Sequence, residues 1–175
     1  MTNLAAREAQ KSPRTFDVIL WGGLTAGVLD ATDGVIALGF KGMNPIQVLQ
    51  YIASGALGAD AFKGELSTAA LGAFFHFLIA FVVAAVYYGA SLNLTALYRK
   101  PAIWGPAYGA AVYLFMNYLV LPLSAVPKSS FSLALFLNGI LGHALFVGLP
   151  IAWFAHRSVG KNANVESNLK AYSVA

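Results

Sequence analysis

Of 175 residues, 58% are hydrophobic and only 10% charged, with a mean hydropathy of +0.67, whereas a soluble globular domain carries roughly 25% charged residues. That balance excludes an ordinary soluble fold and points to an integral membrane protein. The net charge of +4 does not indicate a nucleic-acid partner, because Lys and Arg flank apolar runs instead of lining a polar face, and the absence of cysteine excludes disulfides, thiolate metal sites and a thiol nucleophile.

A bilayer core about 30 Å thick needs about 20 apolar residues per helix, and four stretches meet that length: 16–40, 68–88, 102–123 and 133–154. The expected fold is all-α, an antiparallel bundle of four transmembrane helices forming one domain over 16–157, with cytoplasmic tails at 1–15 and 158–175. Basic residues stay on the cytoplasmic side. Arg7, Lys11, Arg14, Arg99, Lys100, Arg157, Lys161 and Lys170 fall on one side of the spans, against Lys41, Lys63 and Lys128 on the other, so both termini are expected in the cytoplasm. The first span follows basic residues as a secretory signal does, but no A-x-A-like site follows it and Asp30 and Asp33 stand where small cleavage residues belong. It reads as a retained helix.

Within that first span lies Leu29-Asp30-Ala31-Thr32-Asp33-Gly34. Its Asp side carries Gly23, Ala26, Gly27, Gly34 and Ala37, all small, and small residues let helices approach closely in lipid. Both carboxylates are therefore expected to face other helices. Outside the span, Asn44-Pro45 is a helix start signal, and the segment after it places Ile46, Leu49, Ala53 and Leu57 on one face and Gln47, Gln50 and Ser54 on another. A short interfacial or re-entrant helix is expected there, with Pro45, Gln47 and Gln50 as a lid over the bundle.

The second and fourth spans share a Gly-x-x-x-His step, Gly72 to His76 and Gly139 to His143, while the first and third carry Gly-x-x-x-Gly at Gly23/Gly27 and Gly105/Gly109. Two related hairpins, or coincidence in a Gly-rich chain, would each explain this. Pro150 removes a backbone donor, so the fourth span is expected to kink. Tyr87, Tyr88, Trp104, Tyr108 and Trp153 lie near cytoplasmic span ends, where aromatic belts are expected. At about 1.5 Å per residue from the outer span ends, Asp30 lies roughly 15 Å deep, Asp33 roughly 10 Å, His76 roughly 12 Å, His143 roughly 15 Å and Asn117 roughly 9 Å. An ionised Asp at mid-helix costs about 2.5–3.5 kcal/mol on insertion scales, so it needs a partner.

The run from Gly72 and His76 through Tyr87-Tyr88, Tyr108-Gly109, Met116-Asn117-Tyr118, Leu121-Pro122-Leu123-Ser124-Ala125, Gly142-His143 and Gly148-Leu149-Pro150-Ile151-Ala152 resembles a group of small uncharacterised bacterial inner-membrane proteins. More distantly it is similar to YagU-type membrane proteins. The resemblance implies a bacterial inner membrane and four helices. It implies no activity, and Asp30 and Asp33 have no clear counterpart in the YagU-type group.

Three functional readings stand side by side. In the first, Asp30, Asp33, His76, His143 and Asn117 form a site that binds or passes a cation or proton. Asp30, His76 and His143 are then the candidate ligands of a divalent metal. In the second, the polar cluster only fixes helix register in an accessory or scaffold subunit of a larger complex. In the third, His76 and His143 ligate a b-type haem, a poor fit because Gly and Ala faces close the slot a haem needs. No Ser-His-Asp spacing, zincin motif or phosphate loop is present, so no enzyme is expected. Ser124, Ser129, Ser130 and Ser132 read as loop composition. The expected partner is the lipid bilayer, not nucleic acid, with a homo-oligomer or larger complex left open.

Overall fold

In a computed structural model, residues 16, 18–128 and 130–159 are described, and among them every regular element is helical. The expected tails lie outside the described residues, apart from Ser158 and Val159, and so does Ser129. Helix α1 (residues 18–39) starts as a π turn, Val18–Gly22, and continues as Gly23–Gly39. Helix α2 spans Pro45–Leu57 and runs into a 3₁₀ turn, Gly58–Lys63. Then come α3 (Glu65–Asn93), the short α4 (Thr95–Arg99), α5 (Pro101–Leu123) and α6 (Leu133–Val159).

Three of these helices, α3, α5 and α6, are long and apolar enough to cross a membrane. At about 1.5 Å per residue they reach beyond the roughly 30 Å of a bilayer core. Helix α1 is not among the three. It is long enough, but Asp30 and Asp33 lower its hydropathy. Helices α3 and α6 overrun the expected 68–88 and 133–154, because Gly89-Ala90-Ser91-Leu92-Asn93 and the segment after Trp153 contain no proline to stop them.

The small-residue face of α1 packs on α3: Phe81 and Phe77 close over Gly23 and Gly27 so tightly that a Cβ would sit 2.5 Å and 2.8 Å from their rings. On α3, Gly72 lies under the Leu49 carbonyl of α2, leaving no room for any side chain. Helices α5 and α6 meet similarly, with Gly109 against the His143 carbonyl and Gly148 against the Gly105 carbonyl. These backbone approaches replace a hydrophobic driving force that lipid does not supply. A buried cluster of Val18, Ala26, Ala84, Tyr87, Tyr88, Val147, Ile151, Ala152 and Ala155 ties α1, α3 and α6 together.

Two prolines leave a shared imprint. The π turn Met116–Val120 ends two residues before Pro122, and the π turn His143–Gly148 ends two residues before Pro150. Proline lacks the N–H that an α turn needs and its ring crowds the carbonyl four residues back, and a wider turn accommodates both. The distortion expected of Pro150 thus takes the form of a π turn. The π turn at Val18–Gly22 has no proline within it, and nothing in the structure explains it.

Helix α2 begins as its sequence indicates. The Asn44 side chain accepts from the Gln47 N–H at 2.9 Å and the Gln47 side chain accepts from the Asn44 N–H at 2.9 Å, a reciprocal capping box with Pro45 in the first turn. Its faces follow the polarity pattern only in part: Gln47 is exposed and Ala53 buried, but other positions depart from it. Gln50 and Ser54 are buried, while Ile46 and Leu57 are about 40% exposed, at 42% and 43%. The inward polar groups find backbone acceptors: Gln50 Nε2 donates to the Glu65 carbonyl at 3.0 Å and Ser54 Oγ to the Tyr51 carbonyl at 2.6 Å. A buried polar side chain must find a partner, and these carbonyls supply one, so Gln50 and Ser54 can turn inward.

The aromatic residues divide. Trp104 and Trp153 are exposed, as a belt requires, and Arg157 stands over the Trp153 ring at 5.2 Å. Tyr87 and Tyr88 are buried instead, at 1% and 7%, which corrects the belt assignment. Tyr87 donates its hydroxyl to the Leu97 carbonyl at 3.0 Å and Tyr108 to the Val83 carbonyl at 2.8 Å, with their rings edge to face at 4.9 Å. They hold α4 and α5 to α3. His156 has the same role, its Nδ1–H donating to the Tyr98 carbonyl at 2.6 Å.

Candidate functional site

Asp30 and Asp33 both turn toward α6. Asp33 Oδ2 accepts from Asn138 Nδ2 at 2.9 Å, and Asp30 Oδ1 lies 3.3 Å from His143 Nδ1. Position increases along α1 as it decreases along α6, which is the register of antiparallel helices. The Asp33 carboxylate needs Gly142 beneath it, since a Cβ there would lie 2.5 Å from Oδ2. Asn138 was not singled out in the sequence. Its position four residues before Gly142, on the same side of the helix, was the available signal.

The Asp30–His143 pair is mostly shielded, with side-chain exposures of 20% and 22%. His143 Nδ1 is fully buried and its approach to Asp30 lacks hydrogen-bond alignment, so this nitrogen has no hydrogen-bond partner. The contact is electrostatic in reach. The His143 ring also stands edge-on to Tyr113, with centroids 5.2 Å apart. His143 opens the π turn of α6, and π turns recur where a helix must present a side chain off its regular face.

His76 has a different attachment. Its Nε2 lies 2.8 Å from the Gly27 carbonyl, and because a carbonyl only accepts, this nitrogen carries the proton. His76 thereby joins α3 to α1 one turn away from Asp30. Asn117 donates to the Tyr113 carbonyl of its own helix at 3.0 Å and does not join the cluster. The expected triad of Asp30, His76 and His143 is thus not assembled as a ligand set. Among the described residues no group of three His, Cys, Asp or Glu side chains is placed to hold a metal.

What Asp30, His76 and His143 share is a cavity of about 380 Å³. Its walls are Ala26 and Asp30 of α1, the α3 stretch around Phe75–Val83, Val112, Met116, Val120 and Leu121 of α5, and Val147 of α6. Helix α2 contributes Tyr51, Ile52, Gly55 and Ala56, and Ser124 and Val126 complete the rim. Pro45, Gln47 and Gln50 do not reach it: Pro45 and Gln47 are exposed at the start of α2, and Gln50 faces α3. The cover is therefore made by the second half of α2. Tyr51 carries the most useful polar atom of that cover, and burial raises its hydroxyl above the ordinary tyrosine range.

The chain matches no protein-family model, no curated protein and no solved structure. Its chemistry is therefore read from the site alone. One carboxylate and one imidazole face each other beside an apolar chamber, a second carboxylate is held by an amide, and a second imidazole is held by a backbone carbonyl. Such a set can accept, hold and release a proton or a single positive charge at Asp30. With Asp33 and His76 engaged elsewhere, it offers no multidentate grip on a divalent ion.

Proposed function

We propose that this is a small protein of the bacterial inner membrane whose Asp30–His143 pair binds and passes a proton. In this reading α1 is a fourth membrane-crossing helix, since its 18–39 segment extends for about 33 Å. The termini lie in the cytoplasm, as the bias of Arg99, Lys100 and Arg157 favours. Helix α2 lies at the outer interface. The observation that carries the proposal is the pair itself: a carboxylate and an imidazole from α1 and α6 at 3.3 Å, mostly shielded and bordering a cavity. Ionisable groups inside membrane helices face the interior and serve as proton or ion sites more often than as simple packing.

The titratable groups around Asp30 are Asp33 on its own helix, His143 on α6 and His76 on α3. The test is proton flux in reconstituted vesicles, read with a trapped pH dye. Wild type is expected to dissipate an imposed pH gradient, Asp30→Asn to abolish that flux, and Asp33→Asn to retain most of it. Flux through Asp30→Asn equal to wild type refutes the proposal.

A second reading is favoured by Asp33–Asn138 and His76–Gly27, which fix helix register without chemistry. In it the chain is an accessory subunit. A stable larger assembly recovered in mild detergent, with no proton flux by the isolated chain, supports that alternative.

A further inference from the structure

The cavity beside Asp30 has the dimensions of a ligand site. Its volume of about 380 Å³ lies within the roughly 300–1,000 Å³ of small-molecule pockets, which are mostly apolar with a few convergent polar groups. Among the described residues its lining contains no Lys or Arg, and Asp30 is the sole carboxylate there. Leu78 and Ile79 border it while being 46% and 36% exposed on the flank of α3, so the mouth opens sideways. In a membrane that side faces lipid.

We propose that this cavity binds a monovalent organic cation with an apolar body, an alkyl- or arylammonium, whose charge lies against Asp30 and whose body fills the chamber between α3 and α5. The proposal rests on the reading of Asp30 as the ionisable centre. The supporting argument is charge complementarity. An acyl chain in the same space would leave the Asp30 carboxylate opposite hydrocarbon, with only the unaligned 3.3 Å contact to His143 Nδ1 beside it, and a charge so poorly compensated in such surroundings is disfavoured. A cationic head meets the carboxylate directly. Phe75 and Tyr51 on the wall add ring faces that attract a quaternary or protonated nitrogen. Proton and organic cation then compete for one carboxylate.

The experiment uses the purified full chain and two probes of equal shape, benzyltrimethylammonium and its neutral carbon isostere neopentylbenzene. Equilibrium dialysis against the radiolabelled cation, with protein-free micelles subtracted, gives its affinity, and displacement gives that of the isostere. Wild type is expected to favour the cation at least tenfold. Asp30→Asn should reduce cation binding to the level of the isostere, Asp30→Glu should preserve the preference, and Val112→Phe, which fills the chamber, should weaken both probes. Wild-type protein that binds neither probe, or both equally, overturns the proposal, as does a tightly held lipid that the cation fails to displace. The comparison within wild type does not depend on any variant folding. Proton flux that depends on Asp30 without cation binding removes only this inference, whereas cation binding that depends on Asp30 without flux removes only the passage of protons.

Discussion

Replacing Gly142 by alanine isolates the fit between α1 and α6. The new Cβ would stand 2.5 Å from Asp33 Oδ2, closer than real methyl contacts come, and 3.2 Å from its Cγ, so the carboxylate must shift, and the expected outcome is loss of its 2.9 Å bond from Asn138. A hydrogen bond to a charged group contributes about 1.5–3 kcal/mol, and overpacking adds about 1–3 kcal/mol. Alanine is the better helix former by about 1 kcal/mol, so the net loss is about 1.5–5 kcal/mol. Reversible unfolding in detergent micelles measures it. The decisive comparison repeats the substitution in an Asp33→Ala background, where nothing meets the new methyl and Gly142→Ala becomes neutral or stabilising by up to about 1 kcal/mol. Equal losses in both backgrounds would refute the assignment of Gly142 to carboxylate clearance. Gly89→Ala, with nothing within 4 Å of its Cβ position, is the matched control and is expected to stabilise.

Other perturbations test other parts of the architecture. Asn44→Ala removes the capping box of α2 and should weaken that helix by about 1 kcal/mol, seen as faster amide exchange confined to residues 45–57. Gln50→Leu removes one donor to the Glu65 carbonyl, which still accepts from Thr68 Oγ1 at 3.3 Å, and should lower stability by about 0.5–1.5 kcal/mol, with unchanged stability counting against a structural role for the buried amide. Asp60 and Lys63 form a fully exposed pair at 2.7 Å. Hydrogen bonding and then charge from Lys63 hold the Asp60 carboxyl below the ordinary value. Its contribution is therefore present above the unfolded pKa and lost as pH falls through the folded one. Lys63→Ala should return that carboxyl to the ordinary range in an NMR titration while leaving the melting temperature unchanged.

Much of this architecture is legible in the residues because it follows from local chemistry. Asn44-Pro45 sets the start of α2, the apolar runs set α3, α5 and α6, and the small side of α1 shows which face approaches another helix. The parts that were not legible depend on partners distant in sequence. Tyr87, Tyr88 and Tyr108 have the composition of a belt, but the carbonyls of Leu97 and Val83 draw the hydroxyls of Tyr87 and Tyr108 inward. Gln50 and Ser54 look like a wet face and are buried, because the Glu65 carbonyl and the Tyr51 carbonyl satisfy them there. His76 and His143 occupy equivalent steps in the sequence, yet one meets a carbonyl and the other a carboxylate. Only the three-dimensional register decides between those fates. Asn138 escaped notice because an uncharged amide gives little warning until a carboxylate stands opposite.

The wide turn at His143–Gly148 is π-helical, and one residue more than an α-helix needs rotates everything on one side of such a turn by about 100° relative to the other. Helix α6 thus presents two independently indexed surfaces, one addressed to the carboxylates of α1 and one, through Ile151, Ala152 and Ala155, to the tyrosine-anchored core. Shortening the segment by one residue would realign the two halves and turn the imidazole away from its acid while leaving the core intact. The facing of imidazole and acid therefore depends on a wide turn in a helix whose length and greasiness alone would never reveal it.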